Sequence, residues 1–223
     1  LPLDGAIDDL RIYNRALSTA EIQALVQQPN KKIYVTNSAY NGNLAGISGA
    51  DAKCNSSDAN KPGGAGNFKA MLTDSGSNTL RRACTTSYCS GTTTGISEGI
   101  DWVLRPNTTY LRALDGLPVF TANYNGIFDF STNNFTNAIH TTSFQVWTGI
   151  NFGVGGEWTI DGGPGQCGSS GTNIGWMSSA GPYNGVYGNS SAAAQTTTPA
   201  GVLYNGFETA ACTVARRLYC VEQ

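Results

Sequence analysis

Six cysteines constrain this 223-residue chain more than any other feature of its sequence. Their even number, without a Cys-x-x-Cys motif, favours complete pairing in an oxidising compartment over a redox or zinc site. A zinc site would also need nearby histidines, and the only histidine, His140, is far from every cysteine in the sequence. The sequence therefore predicts structural disulfides and an extracellular or cell-surface protein. The cysteines are Cys54, Cys84, Cys89, Cys167, Cys212 and Cys220.

The low charge of the chain restricts its partners. Charged residues make up 13% of the sequence, and the formal net charge is −2. So few basic residues, spread thinly, leave no electrostatic footprint for nucleic acid, and they disfavour binding to anionic membranes. No apolar run reaches the roughly 18 residues that span a bilayer, so we expect no membrane insertion. The surface must be built from Asn, Ser, Thr and Gly, which is typical of exported β-rich or loop-rich proteins.

The stretch "VQQPNKK", residues 26–32, separates two units. Residues 1–30 form an N-terminal unit with a linker, and residues 31–223 form the main unit. The N-terminal unit is predicted to be an alternating strand followed by a short helix, with Ser18 and Glu21 as a capping box.

The N-terminal strand cannot bury its own apolar face, because an isolated strand and helix do not form a core. Its apolar positions include Ile7, Leu10 and Ile12. We expect these side chains either to dock on the main unit or to complete the sheet of a neighbouring subunit by strand exchange.

The main unit is predicted to open with a strand around Ile33 and a short helix that Ser48 caps and that carries Cys54 on its apolar face. A further helix is predicted for "SNTLRRAC", residues 77–84. The closing segment, residues 213–223, is predicted to be a strand. Its inward side chains would be Val214, Leu218 and Cys220.

The order of motifs in the main unit resembles the C-type-lectin-like fold, most closely its endostatin-like branch. The motifs are "ADAKC", "FKAML", "VWTGIN", "EWTIDGGPGQC" and the closing "CTVARRLYC". The resemblance covers roughly residues 32–223. This part of the chain is also similar to an uncharacterised family of exported bacterial proteins assigned to that fold. It implies an α+β disulfide-bonded domain with long loops. It also implies the pairs Cys54–Cys220 and Cys167–Cys212, which leaves Cys84 and Cys89 to close a small local loop.

The opening stretch "LDGAIDDLRIYNRALSTAEIQALV" resembles the final strand and tail helix of a laminin-G/concanavalin-like jellyroll, a fold used to bind glycans and matrix. In such domains an acid near this strand can ligate Ca²⁺, which makes Asp4, Asp8 and Asp9 weak metal candidates. Alone they offer too few oxygens, so Ca²⁺ is expected only if the jellyroll is complete. The main unit has no Trp-Asn-Asp triplet, and "RPN" at 105–107 replaces the acid of the lectin calcium motif with a cation, so we expect no cofactor there.

Residues that could support catalysis are few. Glu157 and Asp161 flank Trp158 and could form a general acid and base, but nothing else in their neighbourhood indicates a catalytic pocket. His140 is not accompanied by a Gly-x-Ser-x-Gly nucleophile motif. The sequence therefore favours a protein that is not an enzyme.

Aromatic residues within Asn/Gly-rich loops indicate a recognition surface, because such rings give rigid contact area and can stack on sugars, while Asn, Ser and Gly give adaptable hydrogen bonds. The alternative is that about half of the rings anchor loops to the core. Trp102 and Trp147, flanked by aliphatic residues, are assigned to the core. The candidate ligand-binding residues are Trp158, Trp176, Tyr183, Tyr187, Tyr124 and Tyr204.

The function favoured by the sequence is an extracellular, non-catalytic recognition or adhesion module that binds a glycan or a surface protein. One alternative is a subunit of an extracellular filament or pilus-like polymer, whose partners would be copies of the chain itself. A weaker alternative is an appendage of a secreted glycoside hydrolase.

Overall fold

The structure is a computed structural model that describes residues 12–18, 29–64, 66–75, 80–91, 98–131, 133–152, 157–160, 165–168, 175–180, 182–195, 201–204 and 209–223. The first half of the chain contains β1 (Lys31–Val35), α1 (Gly46–Asn55), β2 (Phe68–Ala70), a 3₁₀ turn (Ser87–Cys89), β3 (Thr109–Arg112) and β4 (Pro118–Thr121). The second half contains β5 (Gln145–Trp147), β6 (Ile150–Asn151), β7 (Thr159–Ile160), β8 (Asn184–Asn189), β9 (Thr209–Ala211) and β10 (Arg217–Glu222).

A mixed eight-stranded sheet organises the fold, in the order β4-β3-β1-β10-β5-β8-β9. The eighth strand, β2, shares one edge of β10 with β5: β5 pairs with Arg217 and Leu218, and β2 pairs with residues 220–222. Two of the pairings are parallel, β1 with β3 and β10 with β5. β6 and β7 form a separate two-stranded ribbon. The last strand of the chain is therefore the centre of the sheet.

Alternating side chains of the central strands supply two cores, one on each face of the sheet. Tyr34 of β1 and Leu218 of β10 join a cluster that contains α1 and both long-range disulfides, which we call the disulfide face. Ile33 of β1 and Tyr219 of β10 join a cluster rich in Phe and Trp, which we call the aromatic face. Because period-2 alternation sends successive residues to opposite faces, a strand with both faces covered is apolar throughout, as "LYCV" in β10 is.

All six cysteines are paired. Cys54 of α1 bonds to Cys220 of β10, and the Cys167–Cys212 bond lies on the same face of the sheet. The Cys84–Cys89 bond closes a short loop on the aromatic face. These are the three pairs implied by the sequence resemblance, and they are compatible with an oxidising, extracellular environment.

The fold class expected from the sequence, an α+β C-type-lectin-like domain, is wrong. The regular elements among the described residues are mostly β-strands, together with a single α-helix of 10 residues. This helix begins at Gly46 and has no side-chain cap, so Ser48 does not cap it. The helix predicted for residues 77–84 is also wrong over residues 80–84, because Arg81 and Arg82 form β-bridges to Asp74 and Ile100 instead; residues 77–79 lie outside the described residues.

The closing strand is shorter than predicted. β10 starts at Arg217, and Val214 lies in the preceding turn, where its N–H bonds to the carbonyl of Ala211 at 2.9 Å. Val214 is 43% exposed and does not point inward, whereas Leu218 and Cys220 are fully buried as predicted.

Little of the N-terminal unit is described. Ile12 is 88% exposed, and Tyr13 is 44% exposed. The other positions assigned to this unit's docking face or to Ca²⁺, which are Ile7, Leu10, Asp4, Asp8 and Asp9, lie outside the described residues. None of the helices in the described ranges has the length and apolarity needed to cross a bilayer.

Candidate functional site

Four of the six aromatic residues predicted to contact a ligand are part of the interior. Trp158 and Trp176 are completely buried, and their indole N–H groups donate to the carbonyls of Phe128 and Thr73, both at 2.8 Å. Tyr187 and Tyr204 are each 6% exposed. The prediction of a ligand surface is wrong for these four rings, because buried rings that anchor distant loops present no face to solvent.

The two remaining candidates are accessible. Tyr183 is half-buried, and Tyr124 is 76% exposed, one of the most exposed large side chains in the described part of the chain. Tyr124 also borders a groove of about 330 Å³ on the outside of the aromatic face. We call this the aromatic groove. Its lining residues are Glu98, Gly99, Trp102, Leu104, Arg105, Pro106, Tyr124 and Asn125.

A hydrogen-bonded turn positions Tyr124. Asn123 accepts the N–H of Asn125 on its side-chain oxygen at 2.9 Å, and its own N–H donates to the carbonyl of Ile127 at 2.7 Å. Gly126 completes the turn with φ +68°, in the left-handed region that favours glycine. The sequence "NYNG" is a strong turn signal, and it holds Tyr124 at the tip of a tight loop.

Trp102 forms one wall of the aromatic groove. Its indole N–H donates to the carbonyl of Gly126 at 2.9 Å, and its ring meets the buried Trp158 edge-on, with centroids 6.1 Å apart. The assignment of Trp102 to the core therefore needs correction, because the ring is only half-buried and lines the groove. Trp147 is fully buried, as predicted.

Two residues that line the groove are tied to the loop closed by the Cys84–Cys89 disulfide. The carboxylate of Glu98 accepts the hydroxyl of Thr85 at 2.6 Å and also the N–H of that residue. The side-chain amide of Asn125 donates to the carbonyl of Tyr88 at 3.4 Å. Two lining residues from distant parts of the sequence are thus held by one six-residue covalent loop.

Arg105 also lines the groove and is exposed. Its main-chain N–H donates to the phenol oxygen of Tyr110 at 2.6 Å, which fixes the backbone beneath the exposed guanidinium. Burial raises the pKa of Tyr110 to about 12, so the phenol stays neutral at physiological pH. The groove therefore combines an indole face, an exposed phenol, an amide and a guanidinium.

Glu157, one of the two carboxylates considered as a general acid and base, is not among the residues that line the aromatic groove. Glu157 accepts a hydrogen bond from the hydroxyl of Ser87 and thereby helps to hold the 84–89 loop. Asp161 lies outside the described residues. His140 lies in a loop and does not line the aromatic groove.

One grouping of potential metal ligands occurs among the described residues: the sulfurs of Cys84 and Cys89 and a carboxylate oxygen of Glu98 lie within 4.8 Å of one another. The two sulfurs are bonded to each other, so they are not available as thiolate ligands. The residues present do not fit a metal ion in this form of the protein.

Comparison with known proteins gives a family without an assigned activity. Residues 37–193 match the family model described as a protein of unknown function, DUF1554. The matched range includes α1, the 84–89 loop and all the residues that line the aromatic groove. No curated protein matches the chain.

Proposed function

The chain belongs to the DUF1554 family, and from this premise we propose that it is an extracellular, non-catalytic recognition module that binds a glycan in the aromatic groove. The observation that carries the proposal is that Trp102 and Tyr124 both line one open groove of about 330 Å³. This volume is at the lower end of the range for small-ligand sites, and it suits one or two sugar rings.

The chemistry of the lining supports a carbohydrate ligand. Sugars present apolar C–H faces that stack on aromatic rings and hydroxyls that need donors and acceptors. Trp102 and Tyr124 supply the aromatic surface, while Asn125 and Arg105 supply polar groups at the rim. The N–H of Trp102 is already bonded to Gly126, so its ring contributes area without leaving a polar atom to satisfy.

The extracellular part of the proposal is supported by the disulfides. Three bonds use all six cysteines, and such bonds persist in oxidising compartments.

A glycan array with the purified chain, followed by calorimetry on the best hit, tests the proposal. Tyr124→Ala is the main variant: at 76% exposure its removal should leave folding unchanged while binding weakens by about tenfold, as for the loss of one aromatic contact with the ligand. Trp102→Ala should abolish binding. Trp102→Phe, which keeps a ring, should retain part of it.

Tyr13→Ala is the matched control, since Tyr13 is also exposed but does not line the groove. Glycan affinity should be the same in this variant as in the parent chain. An array without hits, or a hit whose affinity is insensitive to Tyr124→Ala, contradicts the proposal.

A second candidate function is favoured by the exposure of Ile12. A large aliphatic side chain that is 88% exposed, within a segment of strand-like sequence, is suited to packing on another copy of the chain. In that case the chain is a subunit of an extracellular polymer. Light scattering and electron microscopy should then show fibres that Ile12→Asp shortens or eliminates, and a monomeric parent chain contradicts this candidate.

A further inference from the structure

The sheet opens at the carboxyl ends of the parallel strands β1 and β3. The two strands pair as far as Ile33 and Arg112, and the N–H of Ala113 then donates to the carbonyl of Ile33 at 2.9 Å. Beyond this point β1 continues to Val35, whereas the chain after Arg112 turns back towards β4. A gap therefore forms between two neighbouring strand ends.

The chain leaves these two strand ends on different sides. β3 continues to β4, which lies on the side of β3 away from β1. β1 continues to α1, and the following loop returns across the end of β1, where the amide of Asn60 donates to the carbonyl of Val35 at 3.0 Å. In open α/β sheets, ligands bind in crevices outside the carboxyl ends of neighbouring parallel strands whose connections diverge, and β1 and β3 have the same local arrangement within this mixed sheet.

A cavity of about 210 Å³ occupies this position, and we call it the strand-end crevice. Its apolar lining includes Pro62, Ile139 and Leu114, the last of which is 65% exposed at the rim. Its polar lining includes Lys61, Arg112 and His140. The exposed leucine offers an apolar contact surface to a ligand, and the cationic groups beside it favour a ligand with a negative charge.

The histidine presents a defined hydrogen-bond donor. The Nδ1 atom of His140 accepts the main-chain N–H of Thr142 at 2.9 Å, so in the neutral ring the proton is on Nε2. The Nε2–H group can therefore donate to an anion in the uncharged form of the ring.

The charges around His140 are mostly positive. Burial lowers its pKa, and the guanidinium groups of Arg217, at the start of β10, and Arg112, at the end of β3, lower it further. Arg112 is paired with Asp115, and Lys61 donates to the carbonyl of Asn55 at 2.9 Å, leaving two of its three donors for other groups. A bound anion would relieve this local excess of positive charge.

We propose that the strand-end crevice binds a small organic acid, with its carboxylate at Lys61 and His140 and its apolar body against Leu114 and Pro62. The crevice volume limits the ligand to a compact molecule. This site is separate from the aromatic groove, since the two share none of their lining residues.

Proton NMR of the C2–H resonance of His140 provides a direct test, because this is the only histidine of the chain. Benzoate serves as the probe, benzamide as the uncharged analogue of the same shape, and acetate as the anion without an apolar body. We expect a saturable shift with benzoate at millimolar concentrations and binding at least about tenfold weaker for both analogues, as for loss of a charge-assisted hydrogen bond or of ring burial. Saturating benzoate should raise the pKa of His140, because a nearby anion favours the charged ring.

Two pairs of variants separate binding from folding. Lys61→Met should weaken benzoate binding about tenfold, whereas Lys53→Met, which removes a lysine of α1 outside the crevice, should not. Leu114→Ser should weaken binding, and Leu117→Ser, at a neighbouring exposed leucine that does not line the crevice, should not. The absence of a saturable shift, equal binding of benzamide or acetate, or an unchanged pKa of His140 would each overturn the proposal.

Discussion

The two faces of the sheet are held together by different means. On the disulfide face, α1 is bonded to the central strand through Cys54–Cys220, which joins residues 166 apart in sequence, and Cys167–Cys212 joins residues 45 apart. On the aromatic face, the Cys84–Cys89 bond spans only 5 residues. Long-range covalent closure is thus confined to one side of the sheet.

The aromatic face is held by an extended set of ring contacts. Phe120 and Phe135 are parallel at 4.6 Å, Phe130 lies 4.9 Å from Phe135, and Phe152 links this group to Trp158 at 5.5 Å. Trp158 in turn contacts Trp102 at the aromatic groove. The aromatic groove therefore lies on the face that has no long-range disulfide.

Removal of the disulfides should have the largest effect on stability, and the effect should differ between the two faces. In the chain-entropy treatment, Cys54→Ala/Cys220→Ala should lower the free energy of unfolding by about 5 kcal/mol, and Cys84→Ala/Cys89→Ala by about 2 kcal/mol, because the second loop is much shorter. Urea unfolding under non-reducing conditions measures both. Equal losses would show that loop length does not distinguish the two faces.

Binding adds a second readout to these variants. The Cys84→Ala/Cys89→Ala variant should lose more glycan affinity than the Cys54→Ala/Cys220→Ala variant in the folded state, because the 84–89 loop supports Glu98 and Asn125 in the groove.

Arg81 joins the two faces and should give the next largest effect. Its buried guanidinium makes two hydrogen bonds of 2.8 Å to Asp51 of α1, and it also pairs with Asp101, next to Trp102. Arg81→Met should cost about 3 kcal/mol of unfolding free energy, because it leaves two carboxylates without their buried partner. Thermal and urea unfolding report this loss.

Lys69→Met is the control for Arg81→Met. Lys69 pairs with the same Asp101, but its side chain is 31% exposed, so its loss should cost less than about 1 kcal/mol. Similar losses in the two variants would show that the buried bridge between the faces has no special contribution.

Regular elements of the main sheet were predictable from sequence because their signals are local. The strands around Ile33 and Leu218 follow from apolar patterning, and the helix that carries Cys54 was predicted with a different start. The helix predicted for residues 77–84 failed because long-range contacts decide that segment: Arg81 bridges to Asp74 and bonds to Asp51 and Asp101.

The direction of aromatic side chains could not be predicted from their loops. Trp158 and Trp176 occur in the same Gly-rich composition as Tyr124, but their partners are carbonyls 30 and 103 residues away in sequence. Conversely, Trp102 has aliphatic neighbours and still lines the groove. The "NYNG" turn was the local signal that could have indicated this part of the site, since it places Tyr124 at a loop tip.

Substitution in the turn that carries Tyr124 should have a smaller effect on stability. A Cβ on Gly126 would lie 2.7 Å from the carbonyl oxygen of Leu104, and φ is +68°, so Gly126→Ala should cost about 2 kcal/mol and displace Tyr124. Gly116→Ala is the matched control, with φ +76° and open space around the added methyl group. It should cost about 1 kcal/mol and leave glycan binding unchanged. Equal effects of the two substitutions on glycan binding would show that the turn at Gly126 does not position the site.

The dependence of stability on acid pH is the smallest expected effect. It tests whether the contact of Arg81 with Asp101 stabilises the fold through charge. Burial acts to raise the pKa of Asp101, but the hydrogen bonds from Lys69 and Arg81 outweigh it and hold that pKa below its usual range. A pKa that is lower in the folded state stabilises the protein fully above the unfolded value of about 3.9, and this contribution is lost as the pH falls through the folded pKa. The free energy of unfolding should therefore decrease on acidification below about pH 4.

Asp101→Asn should reduce this decrease in stability at low pH, measured as urea midpoints across the acid range. Asp115→Asn provides the comparison, because Arg112 also lowers the pKa of Asp115, but that carboxylate is at a solvent-exposed turn, where water screens the pair. Removal of the Asp115 carboxylate should have a smaller effect on the decrease in stability at low pH. If Asp115→Asn has the larger effect, then the cluster around Arg81 does not connect the faces through charge, and packing alone must hold the groove segment to the helix.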